Sequence, residues 1–242
     1  MTHCSGMDEN AEEPLSHRQT RYGVPPGATE FVLVRHGASE PFVSGRPFPT
    51  VDGHGDPALA PEGEEQAQLV GRRLSLEQVD AVYITTLRRT AQTAAPFLAR
   101  SGMTAVVEPD LREVFLGDWE AGLFRQHAAD GHPAYLRMVE DQDWGHIPGA
   151  ETSAQLRDRC VAAMQRLHAR HPDQRVVCVV HGGVISALLD RTVGAHGLTF
   201  WGAENASMHT IVVLGELWQL RRFNDTTHLD LHIAATTEQT CP

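Results

Sequence analysis

The run "RVVCVV" at 175–180 offers no polar face. A strand that is apolar on both sides has to be covered on both sides, and a parallel sheet clothed by helices does this. The runs "FVLV" (31–34), "AVYI" (81–84) and "TAVVE" (104–108) are similar, and helical patterns alternate with them: "APEGEEQAQLVGRRL", "LRRTAQTAAPFLAR" and "GGVISALLD". This βαβ rhythm predicts an α/β fold, with a mainly parallel central sheet and helices on both faces. The clearest amphipathic helix is predicted over 151–170, where Leu156, Cys160, Met164 and Leu167 recur at helical spacing. Near the end, "MHTIVVLG" and "LWQLRRF" meet at Gly215 and Glu216 and predict a closing hairpin. With 242 residues, 41% of them hydrophobic, the chain can bury one large core. Residues 1–28 read as a disordered or loosely attached arm closed by "GVPPGA", residues 29–232 as the main folded domain, and 233–242 as a frayed tail.

Ligands collect at the carboxyl ends of strands in such a sheet. "FVLV" delivers Arg35 and His36 to that edge, and "RVVCVV" delivers His181. Both segments, "VRHG" and "VVHGG", place a histidine at a strand tip and a glycine where a helix or turn begins. Glycine lets backbone approach a ligand closely, and N–H groups at a helix start favour an anion, so the shared ligand is expected to be a phosphate. Arg88 and Arg89 follow "AVYI" at the same edge, and one of them can point inward. Guanidinium forks suit a phosphoryl group, whose charge is spread over several oxygens. A neutral imidazole is a competent nucleophile towards phosphorus, which makes His36 the candidate. The leaving oxygen then needs an acid. Glu113 in "LREVFLGDWE" is the candidate, with Asp118 and Glu120 close by.

Charge and composition exclude other classes. A net charge of −11 argues against a nucleic-acid binder or an acidic-membrane binder. Cys4, Cys160, Cys178 and Cys241 lack metal-ligand spacing, and so do His127, His132, His146 and His168, so neither a metal nor a cofactor is expected. No apolar segment approaches the roughly 20 residues of a membrane span, and a cytoplasmic location is expected.

Taken together, these motifs resemble the histidine phosphatase superfamily, in its phosphoglycerate-mutase-like branch, over roughly residues 30–230. The resemblance implies that Arg35 binds phosphate and His36 is the nucleophile of the "RHG" element. It assigns the second arginine to Arg89, because Leu87 stands two before it and "QTA" follows at 92–94; Arg88 is then a surface arginine. It also assigns Glu113, with Gly117 after it, as the acid, and His181 of "HGG" as a phosphate ligand. "LAPEGEEQA" (59–67), "PGAETSAQLRDR" (148–159), "NAS" (205–207) and "FNDTTHL" (223–229) are further family-like elements. Three departures stand out. Phe42 replaces an asparagine common in mutases, Thr85 and Thr86 replace serines, and Ala121 replaces a frequent glycine. The implied activity is hydrolysis of a small phosphorylated metabolite through a phosphohistidine. Mutase-type transfer and a non-catalytic phosphate-binding module are the alternatives. The Pro- and Gly-rich stretch 41–57, carrying Arg46, Asp52 and His54, reads as a loop that shapes substrate choice.

Overall fold

Alternation along the strands sorts the core into two layers. In a computed structural model, which describes residues 18–230, the strands are β1 (Thr29–Arg35), β2 (Thr50–Val51), β3 (His54–Gly55), β4 (Ala81–Ile84), β5 (Ala105–Val107), β6 (Arg175–Val180), β7 (Met208–Leu214) and β8 (Leu217–Asp225). The expected C-terminal tail lies outside the described residues, as do residues 1–17 of the expected arm. Six strands form one sheet in the order β5-β4-β6-β1-β7-β8, the first four mutually parallel, β7 antiparallel to β1 and β8 antiparallel to β7. The hairpin β7–β8 turns at Gly215, whose φ of 56° suits glycine.

The helices are α1 (Pro61–Leu74), α2 (Arg88–Ser101), α3 (Leu123–Ala129), α4 (Pro133–Asp141), α5 (Ser153–Arg170) and α6 (Gly182–Val193). On one face of the sheet Val32, Val34, Val177 and Val179 meet Val70, Leu74, Ala94 and Phe97 of α1 and α2. On the other, Phe31, Leu33, Val176 and Cys178 meet α5 and α6. Leu156, Cys160, Met164 and Leu167 are the buried stripe of α5, whose start is fixed by a capping box between Thr152 and Gln155. Each large apolar side chain so buried contributes about 1.5–3 kcal/mol.

The topology does one thing for function. Strands β4, β6 and β1 are neighbours at the centre of the sheet, so the segments that follow them converge at one edge. Among the described residues, no helix is long and apolar enough to cross a membrane.

Candidate active site

The main chain at the end of β1 is held from both sides. His36 donates its N–H to Val180 (3.0 Å), Arg35 donates to Ser207 (3.0 Å), and the Asn205 amide donates to the His36 carbonyl (3.0 Å). The next turn lies directly on the start of α1. A Cβ at Gly37 would fall 2.6 Å from the Gly63 carbonyl oxygen, so this crossing needs a residue without one.

Hydrogen bonding sets the tautomer of the His36 ring. Nδ1 lies 2.7 Å from the Gly37 carbonyl, which only accepts, so Nδ1 carries the proton. Nε2 is left with its lone pair, and Arg89 Nε donates to it at 3.2 Å. Burial foremost, then the charges of Arg89 and Arg35, hold the ring well below the ordinary pKa of 6.5. His36 is therefore neutral at physiological pH.

Arg89 and Arg88 part company at the start of α2. The Arg88 backbone and side chain donate to the two oxygens of buried Asp56, each at 2.8 Å, and that side chain points outward, 47% exposed. Arg89 turns inward and also donates to the Gly55 carbonyl at 3.0 Å. Burial lowers its pKa to about 10, against the opposing pull of Glu113 and Asp56, so it stays charged. The Arg35 guanidinium donates to the Ala203 carbonyl, and its Nε has no partner among the described residues.

His181 precedes α6, fully buried, with its ring centroid 5.2 Å from that of His36. Its Nε2 lies 3.0 Å from the Thr85 hydroxyl, and its Nδ1 has no partner among the described residues. Burial, then Arg89 and His36, hold it well below 6.5 as well. Glu113 reaches the same edge from the loop after β5. Its Oε1 accepts from the N–H groups of Gly183 (3.1 Å) and Val114 (3.0 Å). A Cβ at residue 183 would sit 2.5 Å from that oxygen, so the second glycine of "HGG" lets the Glu113 carboxylate lie against the start of α6 without shifting.

The neighbouring carboxylates are used differently. Asp118 is exposed and does not line the cavity. Both oxygens of Glu120 are taken, by the N–H groups of Gly55 (2.7 Å) and Leu116 (2.9 Å).

Arg35, His36, Arg89 and Glu113 share one cavity of about 540 Å³. Its far wall is aromatic, with Phe48, Phe124 and Trp201. Of the 41–57 loop, His54 is buried in this wall, whereas Arg46 is exposed and Asp52 pairs with Arg112 at 3.0 Å. Phe42 packs on Gly122 and meets Phe48 edge-on, with centroids 5.8 Å apart; Phe48 is the ring that faces the cavity. Ala121 adopts φ of 56°, the left-handed region that a glycine occupies without cost. Sequence reasoning missed Asp56 and Arg125. Neither belongs to a motif, and only the approach of distant loops gives them their neighbours.

The buried histidines predict acid sensitivity of the fold. His36, His181 and His209, the last lowered to about 4 by burial and then Arg35, all have folded pKa values below the unfolded one. Below about pH 6.5 the unfolded chain binds protons that the native state refuses, so stability is complete above that pH and falls as pH drops. Each such group costs up to about 1.4 kcal/mol per pH unit. Denaturant unfolding at pH 7 and 5.5 is expected to differ by about 2–4 kcal/mol, with the lower pH less stable. Equal stabilities would mean that these rings protonate freely in the native state.

The family model for the histidine phosphatase superfamily (branch 1) matches residues 31–226. Phosphoglycerate mutase-like protein 4 of Arabidopsis thaliana is 35% identical over 206 residues, 83% of this chain and 87% of that protein. Metal-independent phosphoserine phosphatase of the same plant is 32% identical over 205 residues, 83% of each chain. Among solved structures, mycobacterial glucosyl-3-phosphoglycerate phosphatase superposes with a TM-score of 0.68 at 28% identity, over 82% of this chain and 100% of that one.

Proposed function

Because this chain belongs to the histidine phosphatase superfamily, we propose that it is a phosphomonoesterase that works through a covalent phosphohistidine on His36. The observation that carries the proposal is the state of the His36 ring: neutral, with Nδ1–H committed to the Gly37 carbonyl and Nε2 facing Arg89. A phosphoryl group entering between Arg35 and Arg89 supplies oxygens for both guanidinium groups and draws Arg89 off Nε2. The Nε2 lone pair then attacks phosphorus, and the P–O bond to the alcohol breaks in line. Glu113 gives its proton to the departing oxygen. It later takes one from the water that attacks the phosphohistidine, releasing phosphate and restoring the ring. The Oε1 atom of Glu113 is occupied by two backbone donors, while Oε2 makes only a long 3.4 Å contact with Gly183 N, so Oε2 is the atom that moves the proton. His181, beside His36 with an unpartnered Nδ1, serves as a further phosphate ligand. Relatives carry both phosphatase and mutase names, and hydrolysis of a small phosphorylated metabolite is supported over mutase chemistry by Phe42, which packs on Gly122 in place of a polar phosphate contact.

Rapid mixing with a phosphate ester labelled at phosphorus, quenched without acid to spare the P–N bond, tests the proposal. One label per active site is expected on the peptide carrying His36. Label on another residue, or multiple turnovers with no trapped label, would refute it.

A further inference from the structure

A pair of buried hydroxyls beside His181 controls what that ring can offer a ligand. They belong to Thr85, which follows β4, and Thr90 of α2. Of the two polar atoms of the ring, Nε2 lies 3.0 Å from the Thr85 hydroxyl and Nδ1 has no partner among the described residues. The Thr90 hydroxyl is committed: its oxygen accepts from the Thr85 N–H at 3.1 Å, and its proton goes to the Leu87 carbonyl at 2.8 Å. The Thr85 oxygen accepts from the Leu87 N–H at 3.3 Å, which leaves its own proton two acceptors, the Thr90 oxygen at 3.2 Å and His181 Nε2 at 3.0 Å. Two states follow. With the Thr85 proton on the Thr90 oxygen, His181 carries its hydrogen on Nε2 and is left with a lone pair at Nδ1. With that proton aimed at Nε2, the ring hydrogen sits on Nδ1.

A phosphoryl oxygen distinguishes these states. It repels a lone pair and accepts from an N–H, and Nδ1 is the ring atom that Thr85 does not occupy. One hydrogen has to serve the ring, because burial, then Arg89 and His36, hold His181 neutral. We propose that Thr85 is a positioning residue of the phosphate site: its hydroxyl donates to His181 Nε2, so that His181 presents Nδ1–H to the transferred phosphoryl group. This rests on the phosphomonoesterase reading above, which gives His181 a phosphate to hold, and adds the group that sets its tautomer. Thr85 acts through His181, and a hydroxyl at position 85 is the feature the site requires.

Nitrogen-15 NMR of the full chain loaded with inorganic phosphate reads the tautomer, with the His181 signals identified by their loss in His181→Gln. Nδ1 is expected to be the protonated nitrogen and Nε2 the bare, hydrogen-bonded one. In Thr85→Val, which keeps the shape and removes the hydroxyl, that tautomer is expected to lose its preference and kcat/KM to fall by about 10- to 100-fold, the value of a hydrogen bond to a charged group. Because the contact is with the phosphoryl group, propyl phosphate and nitrophenyl phosphate are expected to lose the same factor, and affinity for inorganic phosphate to fall with them. Thr85→Ser restores a hydroxyl and should recover both the Nδ1–H signal and a rate within about threefold of native. A proton on Nε2 in the phosphate-loaded native protein would overturn the proposal. So would a Thr85→Val rate within about threefold of native, or a Thr85→Ser variant as slow as Thr85→Val, which would assign the loss to the missing methyl. Release of phosphate from neither ester by the native protein would overturn the phosphatase reading instead, and the tautomer in inorganic phosphate would still decide the assignment of Thr85.

Discussion

Replacing His36 with alanine is expected to lower kcat/KM by about 10⁴-fold or more, because it removes the bond-forming atom and leaves only electrostatic binding of phosphate. Arg35 and Arg89 would remain, so weak affinity for inorganic phosphate should persist. The loss should not come from unfolding. Burial and two neighbouring arginines keep His36 uncharged in its pocket, and its removal takes away one of the groups that make the fold acid-sensitive. His36→Ala should therefore lose less stability than the native chain between pH 7 and pH 5.5, while being inactive at pH 7. A variant that kept a tenth of the native rate would require another nucleophile, and none of the other cavity-lining groups is comparably placed.

Glu113→Gln is expected to slow phosphoenzyme formation from an alkyl phosphate by about 10²- to 10⁴-fold and from a nitrophenyl phosphate far less, since an alkoxide needs a proton to leave and an activated phenolate does not. Glutamine can still accept from the Gly183 and Val114 N–H groups, so the start of α6 is preserved and the effect isolates the proton. Arg89→Ala should slow both substrates, because it acts on the phosphoryl group that both share. Single-turnover rates are the right measurement, since Glu113 also serves the water step. Equal slowing of both substrates by Glu113→Gln would mean that it only positions phosphate. Asp118 and Glu120 are poor replacements on geometric grounds. One is exposed outside the cavity, and the other has both oxygens tied to the backbone.

The sheet, its two layers of helices and the closing hairpin were legible in the sequence, because burial on both faces leaves a strand no polar positions and a helix repeats its apolar residues at a spacing no strand uses. The convergence of Arg35, His36 and His181 was legible for the same reason, as each follows directly from the end of a central strand. The fates of Arg88 and Arg89 were separable by motif alone, and the structure adds the agent: Asp56, from a loop 32 residues away, takes one and leaves the other to His36.

Other features belonged to tertiary structure alone. The ring state of His36 depends on two guanidinium groups and a carbonyl whose distances no local pattern encodes. Phe42 and Phe48 are both aromatic residues in one irregular loop, and only the packing of Phe42 on Gly122 decides which of them faces the cavity. Arg125 lies on a seven-residue helix, too short for periodicity to mark an inward face. Its position in the cavity lining follows from a carbonyl and a hydroxyl 85 and 86 residues earlier in the chain. Strand ends were thus set by short-range apolar pattern, while protonation, loop facing and the placing of Arg125 arose from long-range contacts between irregular segments, which obey geometry and charge but follow no period.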